Sequence, residues 1–259
     1  DALRDVPSAR ECRRILYPLK SWFRDFPLQA VWNMPDATIA KEVEKLRDKI
    51  HQFDEDCKKA DLSIRMVYAA AKKWDELFLR PKGEFAWFYQ HMSLCYRKGS
   101  LLFLHAGIDD RIAGILNHSD WKHLNKKFRQ LMLGNPFEFY YGPFANIMRT
   151  KYRDVDMPLT RAGVKKIHQQ GIRVVVHGHR NLLNGQRLML RKGLLNVECD
   201  TTLDRNSRKK EGLKGVGAAV TVIHPDGYIL GISNDYPFIK LFDPKNIVRR
   251  TRGVKLSNS

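Results

Sequence analysis

The longest regular pattern in the sequence lies between Asp36 and Pro81, where no glycine or proline occurs. Apolar or small residues recur there at alternating steps of four and three: Ile39, Val43, Leu46, Ile50, Phe53, Cys57, Ala60, Ile64, Val67, Ala71, Trp74 and Phe78. This is a heptad seam and predicts helix. One reading is a continuous helix of about 40 residues and about 60 Å. The other is an antiparallel hairpin broken near residues 61–63, which we favour because a compact domain must bury both halves of the seam.

Two short apolar runs predict buried strands, and each run ends in a histidine beside a glycine. Leu101 to Leu104 is followed by H-A-G, and Val174 to Val176 is followed by H-G-H-R. Continuous aliphatic runs are typical of strands that are buried on both faces. The carboxyl edge of an open α/β sheet usually holds the ligand, and neutral imidazole is a common metal ligand. The pattern therefore predicts two ligands that converge at one sheet edge.

The remaining pattern predicts a crossover helix and several further strands. Residues 160–170 read as a helix that Gly171 ends, leading into the strand at Val174. Further strands are expected at residues 188–190, 194–197, 217–223 and 228–232, with a tight hairpin turn at His224 to Gly227. Alternating helices and strands of this kind indicate an α/β fold.

The net charge indicates which kinds of partner to expect. The 259 residues carry a formal net charge of +18, which favours phosphate esters, nucleotides, nucleic acid or an acidic membrane as partners, or simply a solvated basic surface. Part of the charge is clustered, in a loop with Arg205, Arg208, Lys209, Lys210 and Lys214 and in a tail with Arg249, Arg250, Arg252 and Lys255.

The cysteines and the apolar runs indicate the cellular compartment in which the protein is expected. Cys12, Cys57, Cys95 and Cys199 are far apart and form no C-x-x-C pair, which predicts reduced thiols in a reducing compartment, the cytoplasm. No apolar run reaches the roughly 18 residues of a transmembrane segment. The N-terminus does not resemble a signal peptide and has no initiator methionine, so we expect a processed product or an excised fragment.

The motifs L-F-L-H-A-G-I and V-V-H-G-H-R resemble the last two metal-ligand motifs of the calcineurin-like metallophosphoesterases. That superfamily includes protein Ser/Thr phosphatases and diadenosine tetraphosphate hydrolases. The resemblance covers residues 99–233, about half of the chain. It implies a β-sandwich flanked by helices, a dinuclear centre of divalent transition metal (Mn, Fe or Zn), and hydrolysis of a phosphate ester or nucleotide by metal-activated water.

Carried over residue by residue, the resemblance assigns His105 and His179 as metal ligands. His177 precedes the glycine of the second motif and becomes the catalytic candidate, placed beside the metal or against the phosphate. The superfamily often has another histidine where this sequence has Asn181. An amide oxygen is a weaker ligand, so the first metal is expected to be held differently or poorly.

The resemblance also implies arginines that bind the substrate phosphate, because a guanidinium matches two phosphate oxygens. Arg149 is the first candidate and Arg153 the second, and Arg180 and Asn181 complete the expected substrate-binding set. The segment Asn196 to Thr201 resembles the closing strand of the superfamily, without its final glycine.

The earlier superfamily motifs, Asp-x-His, Gly-Asp-x-x-Asp-Arg-Gly and Gly-Asn-His-Asp/Glu, do not occur in this sequence. They supply the bridging carboxylate, the amide ligand and the acid-base histidine. Two expectations follow. Either the native protein carries another N-terminal half, or this half-fold has lost its activity.

Together these observations predict three regions. Residues 1–98 form a helical segment with the heptad seam at 39–78, residues 99–242 form the metallophosphoesterase-like α/β core, and residues 243–259 form a basic tail. The predicted function is a metal-dependent phosphoesterase. The alternatives are a non-catalytic, basic RNA- or ribonucleoprotein-binding module and a homodimer formed through the helical region.

Overall fold

The computed structural model describes residues 3–18, 20–32, 34–134, 136–154 and 156–243. The chain divides into two compact units. The first consists of Asp1–Ser93 and Asn125–Ala145, and the second of Leu94–Leu124 and Asn146–Ser259. The predicted boundaries at residues 98 and 242 stay predictions, and all of the predicted basic tail except Asp243 lies outside the described residues.

Helices make up most of the first unit and also flank the strands of the second. In chain order they are α1 (Ala9–Leu16), α2 (Lys20–Ala30), α3 (Asp36–Lys59), α4 (Ile64–Trp74), which runs into a π-helical turn (Asp75–Leu79), α5 (Ala86–His91), α6 (Asp110–His118), α7 (Trp121–Met132), α8 (Pro136–Tyr141), α9 (Pro143–Arg149), α10 (Arg161–Gln169) and α11 (Arg205–Lys210). Within these described helices, none combines the length and the apolarity that crossing a bilayer requires.

The heptad segment is two helices. α3 ends at Lys59 and α4 begins at Ile64, where the Ser63 hydroxyl accepts a hydrogen bond from the Met66 N–H at 3.3 Å. The continuous helix is therefore wrong, and the break falls where the hairpin alternative placed it. α3 packs against α2, whereas α4 packs against α1 and the π-helical turn.

The start of the seam forms the core of the helical unit. Ile39 is buried together with Phe26, Ala30 and Met34, and Trp22, Val43 and Tyr141 pack against this cluster. The rings of Trp22 and Phe26 stack with their centroids 4.5 Å apart. Ile39 and Val43 thus contribute to ordinary packing between α2 and α3.

The strands are β1 (Cys95–Lys98), β2 (Leu101–Leu104), β3 (Val174–His177), β4 (Arg187–Arg191), β5 (Leu194–Glu198), β6 (Ala219–Ile223), β7 (Ile229–Ser233) and β8 (Tyr236–Phe242). The first five form one sheet in the order β1-β2-β3-β5-β4. β2, β3 and β5 run parallel in its centre, and β1 and β4 flank them antiparallel. The chain is therefore α/β, as the sequence predicted, and the strands expected near residues 101, 174, 188 and 194 are confirmed.

The crossover helix and its end agree with the sequence. α10 begins at the Thr160 hydroxyl, which accepts the Gly163 N–H at 3.3 Å, and Gly171 follows the helix with φ +74°. A positive φ at the helix end suits glycine, which has no Cβ to clash. This turn leads directly into β3, which pairs in parallel with β2.

β6, β7 and β8 form a second, antiparallel sheet. The predicted turn between β6 and β7 is confirmed, with the Gly227 N–H donating to the His224 carbonyl at 3.0 Å. The two sheets share an apolar cluster in which Val176 and Val197 of the first sheet are buried with Ile229 of the second. β1 and β8 were missed by the sequence analysis.

Candidate functional site

Two histidines meet where the parallel strands β2 and β3 end. The register pairs Leu104 with His177, so the residues that follow each strand lie at the same sheet edge. The Gly178 N–H donates to the His105 carbonyl at 2.9 Å. His105 Nε2 then lies 3.2 Å from His179 Nδ1. The structure thus brings together the two predicted metal ligands, which are 74 residues apart in the sequence.

The surroundings of His179 favour its neutral form. Burial lowers the pKa of this imidazole below its ordinary value, and electrostatic interactions with His105 and Lys151 lower it further. A hydrogen bond to the backbone of Arg149 and the charge of Asp200 act in the opposite direction. Only the neutral ring has a lone pair for a metal, so this pKa keeps His179 competent to ligate near neutral pH.

The spacing of the two nitrogens fits two ligands of one metal ion. Two ligands at about 2.0–2.1 Å from a tetrahedral ion are about 3.4 Å apart, close to the 3.2 Å found here. In the described part of the chain, no three His, Cys, Asp or Glu side chains form a metal-binding group. The pair therefore supplies two ligands and leaves further positions for water, substrate or other protein groups.

Asp200 is a site residue that the sequence analysis did not assign. It follows β5, the third parallel strand, and its Oδ1 accepts the Thr202 N–H at 2.9 Å. A Cβ added to Gly178 would lie 3.6 Å from Asp200 Cβ and 3.9 Å from its Oδ2. The signal in the sequence was its position two residues after a buried strand, the same offset as that of His179 from β3.

His177, the catalytic candidate, lies in the protein interior. Its side chain is 2% exposed, and its Nδ1 lies 3.1 Å from the Gly178 carbonyl. Its ring and that of Tyr152 lie in a T-shaped arrangement with their centroids 6.1 Å apart. Burial lowers the pKa of His177. Because the His177 side chain is buried, a substrate that arrives from solvent does not reach it in this structure.

The four predicted phosphate-binding residues have different surroundings. Arg149 Nε donates to Asn146 Oδ1 at 3.1 Å, and its backbone lies against His179. Arg153 pairs with Asp156 at 3.1 Å. Asn181 Oδ1 accepts a hydrogen bond from the Thr202 hydroxyl at 2.9 Å. Of these residues, the structure places the Arg149 backbone beside the histidine pair.

Arg180 belongs to a charge cluster around Glu198. The Glu198 side chain is fully buried, and Arg187 Nε and Arg191 Nη2 donate to it at 2.8 and 2.5 Å, with Arg180 Nη1 at 3.5 Å. Burial acts to raise the pKa of Glu198, but the hydrogen bonds from Arg191 and Arg187 outweigh it, so the pKa is lowered. The carboxylate stays ionised, and three guanidiniums surround one negative charge.

The cluster is joined to the histidine edge through Tyr152. The Arg191 guanidinium lies over the Tyr152 ring, 4.4 Å from its centroid. The Tyr152 hydroxyl accepts the Ile108 N–H at 3.0 Å, just after the H-A-G motif. Gly107 makes this approach possible, because an added Cβ would lie 2.5 Å from Tyr152 Oη and 2.7 Å from Thr150 Cγ2.

Replacing Gly107 with alanine is expected to destabilise the protein by about 1–3 kcal/mol, because the methyl group would overpack the contact with Tyr152. Gly114→Ala is the matched control. No atom lies within 4 Å of the Cβ position at Gly114, and alanine is the better helix former by about 1 kcal/mol. In urea unfolding, the free energy of unfolding should fall for Gly107→Ala and rise for Gly114→Ala, relative to the wild type. Equal stability of both variants would contradict the close contact.

Comparisons with known proteins add a distant structural likeness. No family model matches the sequence, and no curated protein matches it either. A cold-active protein-tyrosine phosphatase of the psychrophile Shewanella sp. is similar at 13% identity and a TM-score of 0.39, covering 62% of this chain and 46% of that one. A point mutant of a cold-active protein tyrosine phosphatase gives 12% identity and a TM-score of 0.40, covering 74% of this chain and 52% of that one. The chain thus spans about half the length of these structures, and a likeness at this level carries no argument about function.

Proposed function

We propose that this protein is a metal-dependent phosphoesterase of the calcineurin-like kind. The observation that carries the proposal is the approach of His105 Nε2 to His179 Nδ1, 3.2 Å apart at the carboxyl ends of adjacent parallel strands. Each histidine stands in a motif that resembles a metal-ligand motif of that superfamily. The two-sheet arrangement with its shared apolar cluster supports the proposal that the fold is the corresponding β-sandwich.

In this proposal His105 and His179 hold a divalent transition metal, Mn, Fe or Zn. When bound, such an ion polarises a phosphoryl oxygen and lowers the pKa of a water molecule so that it can attack phosphorus. A dinuclear centre needs ligands beyond the two imidazoles. In the described part of the chain, no carboxylate, thiol or third imidazole joins the two histidines in a metal-binding group, so Asp200, beside Gly178, acts as a charged neighbour of His179 rather than as a ligand.

The substrate is proposed to be a phosphate ester or a nucleotide. Lys151 contributes positive charge at His179, and the backbone of Arg149, two residues earlier in the chain, forms a hydrogen bond with His179. These cations favour an anionic group at the histidine edge. Arg180 follows His179 directly and is held by Glu198, so its position depends on the charge cluster rather than on the substrate.

The two imidazoles can be tested by metal analysis. The purified chain is equilibrated with Mn, Fe or Zn, dialysed, and measured by elemental analysis beside His105→Ala and His179→Ala. We expect at least one bound ion per chain in the wild type and roughly a tenfold or greater loss of metal affinity in each variant, because a single imidazole remains. Hydrolysis of an aryl phosphate should fall with the metal content.

His123→Ala is the matched control, because His123 is an exposed histidine on α7 that the proposal does not use. It should leave the metal content unchanged. Wild-type chain that binds no metal, or metal binding that the control variant reduces as much as the two site variants do, would overturn the proposal.

Two further proposals concern partners and compartment. Cys12, Cys57, Cys95 and Cys199 are all free thiols in the structure, which supports a reducing, cytoplasmic compartment. A homodimer through the helical region stays a prediction, to be tested by sedimentation of the chain with and without residues 36–80. An unchanged mass would count against it.

A further inference from the structure

A second surface, separate from the histidine edge, concentrates positive charge. It is an open groove of about 670 Å³ formed by α10, the turn after it and the β4–β5 hairpin. Four cationic side chains line it, from Arg161, Lys165, Arg173 and Lys192, together with His168. No carboxylate is among the described residues that line the groove. We call this surface the α10 groove.

The cations of the α10 groove are not neutralised by the described part of the chain. Among those residues, no ion pair involves Arg161, Lys165, Arg173 or Lys192, whereas Arg153, Arg187 and Arg208 each pair with a carboxylate. The four groove cations are exposed. Burial lowers the pKa of His168, and the charge of Arg173 lowers it further, which agrees with a positive potential in the groove.

The cations form an extended row rather than a single cluster. Arg161, Lys165 and His168 follow one face of α10 at steps of four and three, about 6 Å and 4.5 Å along the axis. Arg173 precedes β3, and Lys192 lies in the turn before β5. Arg97 adds a further cation at this end, since its Nη2 lies 3.1 Å from the Cβ position of Gly171.

The α10 groove lies at the amino ends of the parallel strands. Leu101 of β2, Val174 of β3 and Leu195 of β5 pair side by side at that edge, and Arg173 and Gly193 come just before two of these strands. His105 and His179 come after the opposite ends. A ligand in the groove is thus bound independently of the proposed metal site.

We propose that the α10 groove binds the phosphodiester backbone of a nucleic acid. A row of cations spaced along a helix matches a row of phosphates, and each contact releases counterions from the nucleic acid. The lining residues include no phenylalanine, tyrosine or tryptophan on which a base could stack. Binding is therefore independent of base sequence.

The test is fluorescence anisotropy of the full chain with a labelled single-stranded RNA and a duplex of equal length, at several salt concentrations. The variant is the double substitution Lys165→Glu and Arg173→Glu. The control is Lys126→Glu and Lys127→Glu on α7, which changes the net charge equally at exposed positions outside the groove. Far-UV circular dichroism checks that all three proteins fold.

The groove variant is expected to bind roughly tenfold or more weakly at moderate salt, and the slope of log affinity against log salt should fall by about 1.4 for a single strand, at about 0.7 per phosphate contact. The control should keep the wild-type slope. The nucleic acid that binds more tightly, single strand or duplex, shows which of the two the groove recognises. Equal losses in groove and control variants, no binding to either nucleic acid, or tighter binding to phosphatidylserine vesicles than to both would overturn the proposal.

Discussion

Replacing Glu198 with glutamine is expected to lower the free energy of unfolding by about 2–3 kcal/mol at pH 7. The side chain is fully buried and is the shared partner of Arg180, Arg187 and Arg191. Removing one partner of a fully buried ion pair costs about 3–5 kcal/mol, because the other charge stays buried and unpaired. The expected loss is smaller here because the Arg187 side chain is 43% exposed and solvent screens it.

The pH dependence of this loss has a definite sign. The pKa of Glu198 is lowered in the folded protein, so its stabilising contribution is fully present above the ordinary glutamate pKa of about 4.3 and is lost as the pH falls through the lowered value. The difference between wild type and Glu198→Gln, measured by urea unfolding, should therefore be complete at pH 7 and shrink below about pH 4.

A second substitution separates charge from packing. Adding Arg187→Gln to Glu198→Gln removes one of the uncompensated cations, so the double variant should recover part of the loss. Arg187→Gln alone should cost about 1 kcal/mol or less, because this arginine is partly exposed. A Glu198→Gln protein as stable as wild type at pH 7 would show that the carboxylate does not hold the cluster.

Arg208→Met is expected to destabilise the protein by about 3–5 kcal/mol, the largest effect we expect for a single substitution. The Arg208 side chain is almost fully buried. It donates to the carbonyls of Thr201 at 2.7 Å, Thr202 at 3.0 Å and Gly215 at 3.1 Å, to the carbonyl of Lys214, and to Asp235 at 2.7 Å. Methionine would leave these carbonyls without the guanidinium donor and the buried Asp235 carboxylate without its cation, although Asp235 would still accept the Val216 and Gly217 N–H groups.

The matched controls lie on the same helix. Lys209 and Lys210 of α11 are exposed, so Lys209→Met and Lys210→Met should each change the stability by about 0.5 kcal/mol or less. Urea unfolding at pH 7 measures all three variants. If Arg208→Met were as stable as these controls but bound anions more weakly, Arg208 would be a ligand-binding residue, as the basic loop in the sequence suggested. The observed contacts favour a structural role.

Local pattern was enough to predict the elements that carry the candidate site. The run Leu101 to Leu104 and the β-branched run from Val174 are apolar over their whole length, and both are strands. Gly171 marked the end of α10 because a left-handed backbone there needs glycine. Strand ends followed by His and Gly then placed His105 and His179 at one edge before any contact was known.

Other parts of the site depend on register and could not be read from the chain. Glu198 lies opposite Arg187 in the antiparallel pair β4–β5, and a slip of one residue would turn Glu198 to the other face of the sheet. The segment that carries Tyr152 lies 44 residues after Ile108, whose N–H its hydroxyl accepts. Charge counting likewise treated Arg208 as part of a basic surface, whereas the fold buries it among carbonyl groups.

The sequence by itself determined that this chain is α/β, that histidines stand at the ends of two strands, and that a helix leads into the second strand, because each of these features follows from hydrophobic periodicity and glycine within a few neighbouring residues. Only the tertiary structure decided that His105 and His179 approach to 3.2 Å, that Asp200 lies beside Gly178, and that, among the described residues, the cations of the α10 groove have no carboxylate partner while those around Glu198 do. These outcomes depend on which strands become neighbours and in which register, and that is set by hydrogen bonds and packing between residues far apart in the chain.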